Sequence, residues 1–254
     1  MIKLQEQLAK SQTKQLDLLR DFMKSLKKVC VAYSGGVDSS LVAAIAKEQL
    51  DSNAIAITGV SASLANHLLK EARQQAKWIG IKHQECKTNE LKDPNYTQNP
   101  IDRCFACKQE LHENLKQIAK NFSKAQVIDG VNADDLNDYR PGIKAASIAG
   151  VRSPLAELKI HKSDIREISK ALGFPWWDKP AQPCLASRFA YGEEICSKRL
   201  KQVEKAEKWL IDNGFPEVRV RVQGCVARIE VPKNKINNFL QNSKRQATLE
   251  YLLS

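Results

Sequence analysis

The chain has 254 residues, of which 43% are apolar, so it can form one α/β domain with a small second domain and is not intrinsically disordered. Forty Lys and Arg against 29 Asp and Glu give a formal net charge of +11, which favours anionic partners such as nucleotides, phosphorylated small molecules or RNA. No apolar run approaches the roughly 18 residues of a membrane-spanning helix, and the first residues contain no apolar signal core. We therefore expect a cytoplasmic protein without a membrane partner.

Strand-like and helical segments alternate along the first two thirds of the chain. Residues 1–27 are lysine-rich with apolar residues at helical spacing, which predicts one or two amphipathic helices. The predicted strands are Val29–Tyr33, Ala54–Val60, Ile81–Cys86 and Ala125–Val131, and the predicted helices are Leu41–Leu50, Leu64–Gly80, Gln109–Phe122 and Lys162–Leu172. This alternation implies right-handed crossovers and predicts an α/β fold with a doubly wound, mainly parallel sheet.

The pattern changes after a connection with three prolines, Gly173–Pro183. Lys198–Asn213 is predicted to be a helix, and Glu217–Val231 is predicted to be a β-hairpin that turns at Gly224 and Cys225. We therefore predict two domains, a first domain of residues 1–191 and a small α+β C-terminal domain of residues 192–254.

A glycine-punctuated loop, Ser34-Gly35-Gly36-Val37-Asp38-Ser39, lies between the first strand and its helix. Backbone N–H groups and the helix dipole form an anion site at such a place, and the glycines allow close approach of a phosphate. The loop is not a Walker A motif, because the Gly-Lys-Ser/Thr ending is absent. A tight turn with a serine cap is the alternative, and the complete hexapeptide between a strand and a helix favours the anion site.

The hexapeptide resembles the PP-loop of the ATP pyrophosphatases, which include GMP synthetases, NAD synthetases and several thiolation enzymes. The resemblance implies that ATP is cleaved to AMP and pyrophosphate. It further implies that Ser34 to Ser39 hold the β,γ-pyrophosphate, that Asp38 helps to bind Mg²⁺, and that backbone groups at Thr58, at the end of the second strand, hold the adenine.

Seven cysteines are an odd number in a chain expected to be cytosolic, so a disulfide framework is a poor interpretation. Cys104 and Cys107 form a C-x-x-C at the head of a predicted helix, and Cys184 lies well downstream. Two thiolates one helical turn apart can hold one metal, and a third cysteine would complete a three-thiolate site. The spacing alone leaves open a zinc site, with Cys86 or His112 as a fourth ligand, an iron–sulfur cluster and a redox pair.

Several motifs together resemble the LarE family over most of the chain. They are the hexapeptide, Asp102-Arg103-Cys104-x-x-Cys107-Lys108, Gly130-Val-Asn132-Ala-Asp134-Asp135, Val151-Arg-Ser-Pro-Leu155, Cys184-Leu-Ala-Ser-Arg188 and Val218-Arg-Val-Arg221. LarE-type enzymes are ATP-dependent sulfur transferases in the synthesis of the nickel-pincer nucleotide cofactor. They adenylylate the carboxylates of pyridinium-3,5-biscarboxylic acid mononucleotide and convert them to thiocarboxylates, and the resemblance implies that activity here.

The resemblance also implies that Cys184 occupies the position of the family's sulfur-donating cysteine. In one branch this cysteine gives up its own sulfur and becomes dehydroalanine. In another branch it joins a C-x-x-C in holding a [4Fe-4S] cluster whose extra sulfide is the donor. Cys104 and Cys107 place the chain in the second branch, so the expected cofactors are ATP, Mg²⁺ and a [4Fe-4S] cluster, and sulfide or another sulfur donor is an expected partner.

Further charged residues complete the predicted site. Asp134 follows a predicted strand, where Mg²⁺ would find oxygen ligands, with helix capping as the alternative. Arg103 and Arg188 flank the cysteines, and we predict that Arg103 binds substrate and that Arg188 acts in catalysis, against the alternative of surface arginines.

Two arginines face each other in the predicted hairpin. The two-residue turn pairs Arg221 with Arg228 across the strands, which is unfavourable unless an anion or an acid lies between them. A substrate phosphate, Glu230 or a subunit interface could serve, and we predict that both arginines bind substrate.

Two other functions stay open at this point. The first is a tRNA thiolase with the same loop and a three-cysteine cluster, but the basic residues are spread along the chain and no appended RNA-binding module is visible, so nucleic acid is not expected. The second is a non-catalytic nucleotide-binding or metal-binding protein, against which the intact loop argues. We expect a small-molecule nucleotide as substrate and a homo-oligomer as the assembled form.

Overall fold

The computed structural model describes residues 4–253, and the side chains among them except those of 242–244, 252 and 253. The helices are α1 (Lys10–Leu26), α2 (Val37–Leu50), α3 (Asn66–Ile79), α4 (Pro94–Thr97), α5 (Arg103–Asn121), α6 (Pro141–Ile148), α7 (Pro154–Glu157), α8 (Lys162–Ala171), α9 (Ser197–Asp212), α10 (Ile236–Leu240) and α11 (Asn242–Leu253). The strands are β1 (Val29–Ala32), β2 (Ala54–Val60), β3 (Lys82–Lys87), β4 (Gln126–Ile128), β5 (Arg219–Gln223) and β6 (Val226–Glu230). Within this described part, no helix is both long and apolar enough to span a bilayer.

The first four strands form one parallel sheet in the order β3-β2-β1-β4. The inner strands β1 and β2 are almost continuously apolar, as expected for strands that are covered on both faces. Strand β3 is polar and mostly exposed, which suits an edge strand. The predicted α/β fold with a parallel sheet is therefore confirmed.

Helices cover both faces of this sheet. Val31 of β1 packs into a core with α1, α2, α3 and α8, whereas its neighbour Cys30 packs on the opposite face with Leu115 of α5. The alternation follows from the two-residue repeat of a strand, which sends successive side chains to opposite faces. Burial raises the pKa of the Cys30 thiol to about 12, so this cysteine is an inert part of the core.

Two helices begin earlier than predicted. Helix α2 begins at Val37 instead of Leu41, because Gly36 serves as its N-cap residue. Helix α5 begins at Arg103 instead of Gln109, which places the C-x-x-C in its first turns. The fourth strand ends at Ile128, three residues before the predicted end, because the Asp129 carboxylate accepts a hydrogen bond from the Val131 amide and turns the chain.

The described residues divide into two compact units. The first comprises the described part of Met1–Glu90 with Asp102–Gln182, and the second comprises Leu91–Ile101 with the described part of Pro183–Ser254. Asn99 shows why the short internal segment belongs to the second unit: its side chain donates to the Ala190 carbonyl (2.7 Å), and its own carbonyl accepts from the Gly192 amide (3.0 Å). The domains 1–191 and 192–254 stay a prediction.

The second unit is built around a β-hairpin and helix α9. Strands β5 and β6 pair antiparallel with Arg221 opposite Arg228 and Gln223 opposite Val226, so the predicted register is confirmed. Val218 and Val220 pack with Leu210 of α9 in a small core of their own. The alternating apolar residues of the hairpin therefore determine which of its faces is buried.

Close packing at one glycine fixes the end of β4 against the beginning of α2. A Cβ atom on Gly130 would lie only 2.7 Å from the Ser39 nitrogen and 2.9 Å from the Ser39 Cα. Both of these are backbone atoms of the first helical turn, which cannot move aside as a flexible side chain can. The two carboxyl-end loops after β1 and β4 are therefore held in direct contact.

We predict that Gly130→Ala destabilises the protein by about 1–3 kcal/mol, because the added methyl group must displace backbone. The measurement is urea unfolding. Gly142→Ala is the matched control: its Cβ would meet the Lys108 Cγ at 2.9 Å, a flexible side chain that can rotate away, and alanine suits helix α6. Equal losses of stability in the two variants would show that the close approach at Gly130 is not a constraint.

Candidate active site

The loop Ser34–Ser39 connects the central strand to the N-terminus of α2. Gly35 adopts φ +73°, and a Cβ atom there would lie 3.1 Å from the Cα of Ala72 on α3, so both the backbone conformation and the close packing require glycine. The N–H groups in the first turn of α2 have no acceptor within the helix, and they point towards the helix N-terminus. Backbone donors and the helix dipole together make this loop suited to an anion.

The two serine hydroxyl groups hold the loop closed. Ser34 Oγ and Ser39 Oγ lie 3.1 Å apart, the Ser34 amide donates to Ser39 Oγ (3.2 Å), and Ser39 Oγ donates to the Gly36 carbonyl (3.1 Å). These bonds link both ends of the hexapeptide. The loop therefore has its curved shape before any ligand binds.

The Asp38 carboxylate lies at the start of α2, next to a lysine. The Lys162 ammonium donates to both of its oxygens, at 2.8 Å to Oδ1 and 2.6 Å to Oδ2. Asn132 follows β4, and its side-chain amide nitrogen lies 3.5 Å from Asp38 Oδ1. Asp38 and Lys162 are both partly exposed, so solvent and ligands can reach them.

Asp134, the second predicted magnesium ligand, makes two other contacts. Its carboxylate accepts from the Lys162 backbone amide (2.7 Å) and bonds His161 Nδ1 (2.6 Å). The hydrogen bond from Lys162 and that from His161 hold the pKa of Asp134 below its ordinary value, and Asp134 raises the pKa of His161. Asp134 thereby fixes the beginning of α8, and Asn132 is the residue of this loop that contacts Asp38.

Thr58 is buried near the carboxyl end of β2. Its hydroxyl group donates to the Tyr33 carbonyl (2.8 Å) and therefore accepts from His83 Nε2, also at 2.8 Å. Burial lowers the pKa of His83, which favours the neutral form of the ring. The Thr58 side chain thus fastens β2 to the residue before the loop, and its hydroxyl group already has both partners.

The cysteines of the predicted metal site are divided between the two units. Cys104 is exposed and Cys107 half-buried at the head of α5, with the buried Arg103 before them. Cys184, in the second unit, is exposed and directly precedes the short 3₁₀-helix Leu185–Arg188. Over the residues that the structure describes, no group of three or more His, Cys, Asp or Glu is arranged to hold a metal ion.

Arg188 lies in a buried ion pair. Its guanidinium group donates from Nε to Glu207 Oε1 (2.8 Å) and from Nη2 to Glu207 Oε2 (3.0 Å), and both side chains are less than 10% exposed. Nη1 donates to the carbonyls of Pro183 (2.8 Å) and Cys184 (3.3 Å). Arg188 thus fixes the backbone around Cys184, and its predicted role in catalysis stays a prediction.

Glu230 lies between the two arginines of the hairpin. It accepts from Arg221 Nε (2.7 Å) through one oxygen and from Arg228 Nη2 (2.9 Å) through the other. Burial alone would raise the pKa of Glu230, but the two arginines hold it below its ordinary value. Of the three partners considered from the sequence, this acid relieves the repulsion, and Arg221 also donates to the Ser187 carbonyl (3.0 Å).

Lys162 and Glu207 were not among the residues predicted from the sequence. Lys162 gives no signal, because its partner Asp38 lies 124 positions away in the chain. Glu207 does give one: it occupies a position of the apolar face of α9 that also contains Val203 and Leu210, where a charged residue needs a buried partner.

Three comparisons place these observations among known proteins. Residues 16–102 match the asparagine synthase family model. The chain is 54% identical over 227 residues to an uncharacterized protein of Synechocystis sp., covering 89% of this chain and 85% of that protein. It is 38% identical over 219 residues to pyridinium-3,5-bisthiocarboxylic acid mononucleotide synthase of Lactiplantibacillus plantarum, covering 86% of this chain and 79% of that protein. The NH₃-dependent NAD synthetase of Campylobacter jejuni, solved with a nitrate ion, has the same fold, with a TM-score of 0.55 at 16% identity over 96% of this chain and 94% of that one.

We predict that Glu207→Gln lowers the free energy of unfolding by about 3–5 kcal/mol, because it leaves the buried Arg188 charge without a carboxylate. Thermal or urea unfolding measures the loss. Asp212→Asn on the same helix is the control, since it breaks a 2.6 Å ion pair with Lys208 that is exposed and worth about 0–1 kcal/mol. A Glu207→Gln variant as stable as the control would show that the buried pair is dispensable.

Proposed function

Because the chain belongs to the LarE family of PP-loop enzymes, we propose that it adenylylates a carboxylate of pyridinium-3,5-biscarboxylic acid mononucleotide and converts it to a thiocarboxylate. The protein is an ATP-dependent sulfur transferase. The observation that carries the proposal is the preformed loop Ser34–Ser39 at the N-terminus of α2, with the Asp38 carboxylate beside it.

The reaction has two displacement steps. In the first, an oxygen of the substrate carboxylate attacks the α-phosphorus of ATP, and the bond to the β,γ-pyrophosphate breaks. In the second, a sulfur nucleophile attacks the acyl carbon and AMP leaves with the bonding electrons. Adenylylation is needed because a carboxylate oxygen is a poor leaving group, whereas AMP is a good one.

The loop would bind the pyrophosphate that leaves in the first step. The backbone N–H groups of Gly35, Val37 and Ser39 lie around the helix terminus with the hydroxyl groups of Ser34 and Ser39, while the amides of Ser34 and Gly36 donate within the loop. Donors already in position stabilise charge as it develops on the leaving group, because no reorganisation is needed during the reaction. The adenine would lie against the backbone that follows Thr58.

The Asp38 carboxylate beside the loop fits Mg²⁺, because carboxylate oxygens are hard ligands of the kind that this ion prefers. Asn132 turns its amide nitrogen towards Asp38, while its carbonyl oxygen accepts from the Asp134 and Asp135 amides. The ion would neutralise the phosphate oxygens and so favour departure of pyrophosphate. Asp134 remains a proposed second ligand, and it would have to exchange its bonds with Lys162 and His161 to take that role.

We propose that Cys104, Cys107 and Cys184 hold a [4Fe-4S] cluster. Two thiols on one turn of α5 and an exposed thiol in the second unit are the soft donors that iron–sulfur clusters use. When bound, the cluster would supply an iron site for the sulfide that is transferred. Arg188 would then hold the backbone on which Cys184 is presented, through the carbonyls of Pro183 and Cys184.

Arg103, Arg221 and Arg228 are the proposed contacts for the acceptor mononucleotide. Arg221 and Arg228 share Glu230, so a substrate phosphate would compete with this carboxylate for the same guanidinium groups. We also propose sulfide or another sulfur donor as a partner, and a homo-oligomer as the assembled form.

Turnover of ATP should depend on the acceptor and yield AMP and pyrophosphate. We predict that Asp38→Asn lowers this activity at least about a hundredfold, because the neutral amide holds the divalent ion weakly. Quantification of AMP and pyrophosphate by chromatography tests both statements. Asp51→Asn is the control, since it also removes an aspartate paired with a lysine, but at an exposed helix end. Formation of ADP and orthophosphate would overturn the proposed function.

The sulfur chemistry is tested by cysteine variants of protein purified without oxygen. If the cluster forms, the wild type contains about four iron atoms per chain, and Cys104→Ser, Cys107→Ser and Cys184→Ser each lose iron and thiolation while ATP binding survives. Cys225→Ser, an exposed thiol in the hairpin turn, should keep both. Iron-free but active protein that converts Cys184 to dehydroalanine in one turnover would instead establish a sacrificial donor.

A further inference from the structure

The ion pair between Lys162 and Asp38 occupies the place where the proposed function needs a divalent cation. Both hydrogen bonds described for the Lys162 ammonium go to Asp38, one to each oxygen, at 2.8 and 2.6 Å. We propose that Lys162 is an exchangeable countercharge: it holds Asp38 before the metal arrives and then binds the pyrophosphate. This inference rests on the proposed function, because it assumes that the loop binds magnesium pyrophosphate.

The ammonium and the metal compete for the same oxygens. An Mg²⁺ ion at about 2.0–2.1 Å from a carboxylate oxygen brings two positive charges next to an ammonium that contacts both oxygens, and their repulsion drives the ammonium from the oxygen that the ion binds. Lys162 must leave at least one oxygen when the ion enters. Without nucleotide, the lysine therefore opposes metal binding.

Hydrogen bonds fix the backbone at the start of α8, so Lys162 can move only the end of its side chain. Its backbone amide is bound to Asp134, which also bonds the preceding His161, so the first turn of the helix is fixed. The ammonium itself is at the end of a flexible four-carbon chain and is one-third exposed. It can therefore change partners while its attachment point stays in place.

An ammonium that leaves Asp38 needs a new partner, and an anionic ligand suits it better than the neighbouring carboxylates. The Asp134 carboxylate is already bonded to the start of α8, and the Asp135 carboxylate pairs with Arg140 at 2.8 Å. An ammonium displaced from Asp38 thus lies beside the anion loop with three N–H donors, next to two carboxylates that already have partners. A pyrophosphate in the loop offers charged oxygens, which form the strongest hydrogen bonds for such a group.

Two binding measurements on the full chain test the exchange, with Lys162→Met as the main variant. The first is titration with Mn²⁺ in the absence of nucleotide, followed by electron paramagnetic resonance. The variant should bind Mn²⁺ about fivefold more tightly, because a competing positive charge is gone. The second is calorimetric titration with pyrophosphate in the presence of Mg²⁺, where the variant should bind about tenfold more weakly, because a charged donor is lost.

Lys208→Met is the matched control, since it removes another lysine that contacts an aspartate at 2.6 Å, on the surface of α9. Both of its dissociation constants should equal those of the wild type. Lys162→Arg tests the exchange by keeping the competing charge. Its planar guanidinium binds both oxygens of a carboxylate firmly, so Mn²⁺ should bind as weakly as in the wild type or more weakly.

The outcomes separate this inference from the function on which it rests. A wild-type protein that does not bind magnesium pyrophosphate overturns the proposed function, and this inference with it. A wild type that binds it and a Lys162→Met variant that binds it equally well overturn this inference alone. The same holds if Lys162→Met is merely less stable to heat and neither dissociation constant changes, which is the result expected of a structural ion pair.

Discussion

The contact between the end of β4 and the first turn of α2 is the constraint on which the site depends. Gly130 brings the two backbones so close that no side chain fits between them. Since β1 and β4 are neighbours in a parallel sheet, their carboxyl ends meet at one edge, and the helix after β1 starts against the loop after β4. The anion loop, Asp38 and Asn132 therefore come together through backbone packing before any charged group interacts.

Two ion pairs of the protein differ in how deeply they are buried, and their roles differ accordingly. In the first unit the pair of Asp38 and Lys162 is partly exposed, so it can exchange partners at small cost. In the second unit the pair of Arg188 and Glu207 is buried, and the Val220 amide also donates to the same carboxylate (2.9 Å). Such a pair is costly to break and fixes geometry. The same chemical contact thus serves exchange in one place and rigidity in the other.

The sequence was sufficient for the features that depend on local pattern. The parallel sheet follows from the alternation of apolar runs and helices, and the register of the hairpin follows from its two-residue turn and its alternating valines. The partners of charged side chains were not predictable, because Lys162 and Asp38 meet only after the chain has wound through four strands. The roles proposed for Asp134 and Arg188 came from their positions after a predicted strand and beside the cysteines, and the sequence could not show that each already has protein partners. Glu207 is the exception, since its place on an apolar helix face was visible in advance.

The way in which Arg188 holds the segment around Cys184 separates the shape of that segment from the chemistry of its thiol. The guanidinium group grips main-chain carbonyls at positions 183 and 184, and these carbonyls are present whatever side chain position 184 carries. A cysteine there can lose its sulfur, bind a metal or be exchanged for another residue while those backbone bonds persist. Substitution at position 184 therefore changes the chemistry that this segment offers without rebuilding the backbone scaffold that presents it.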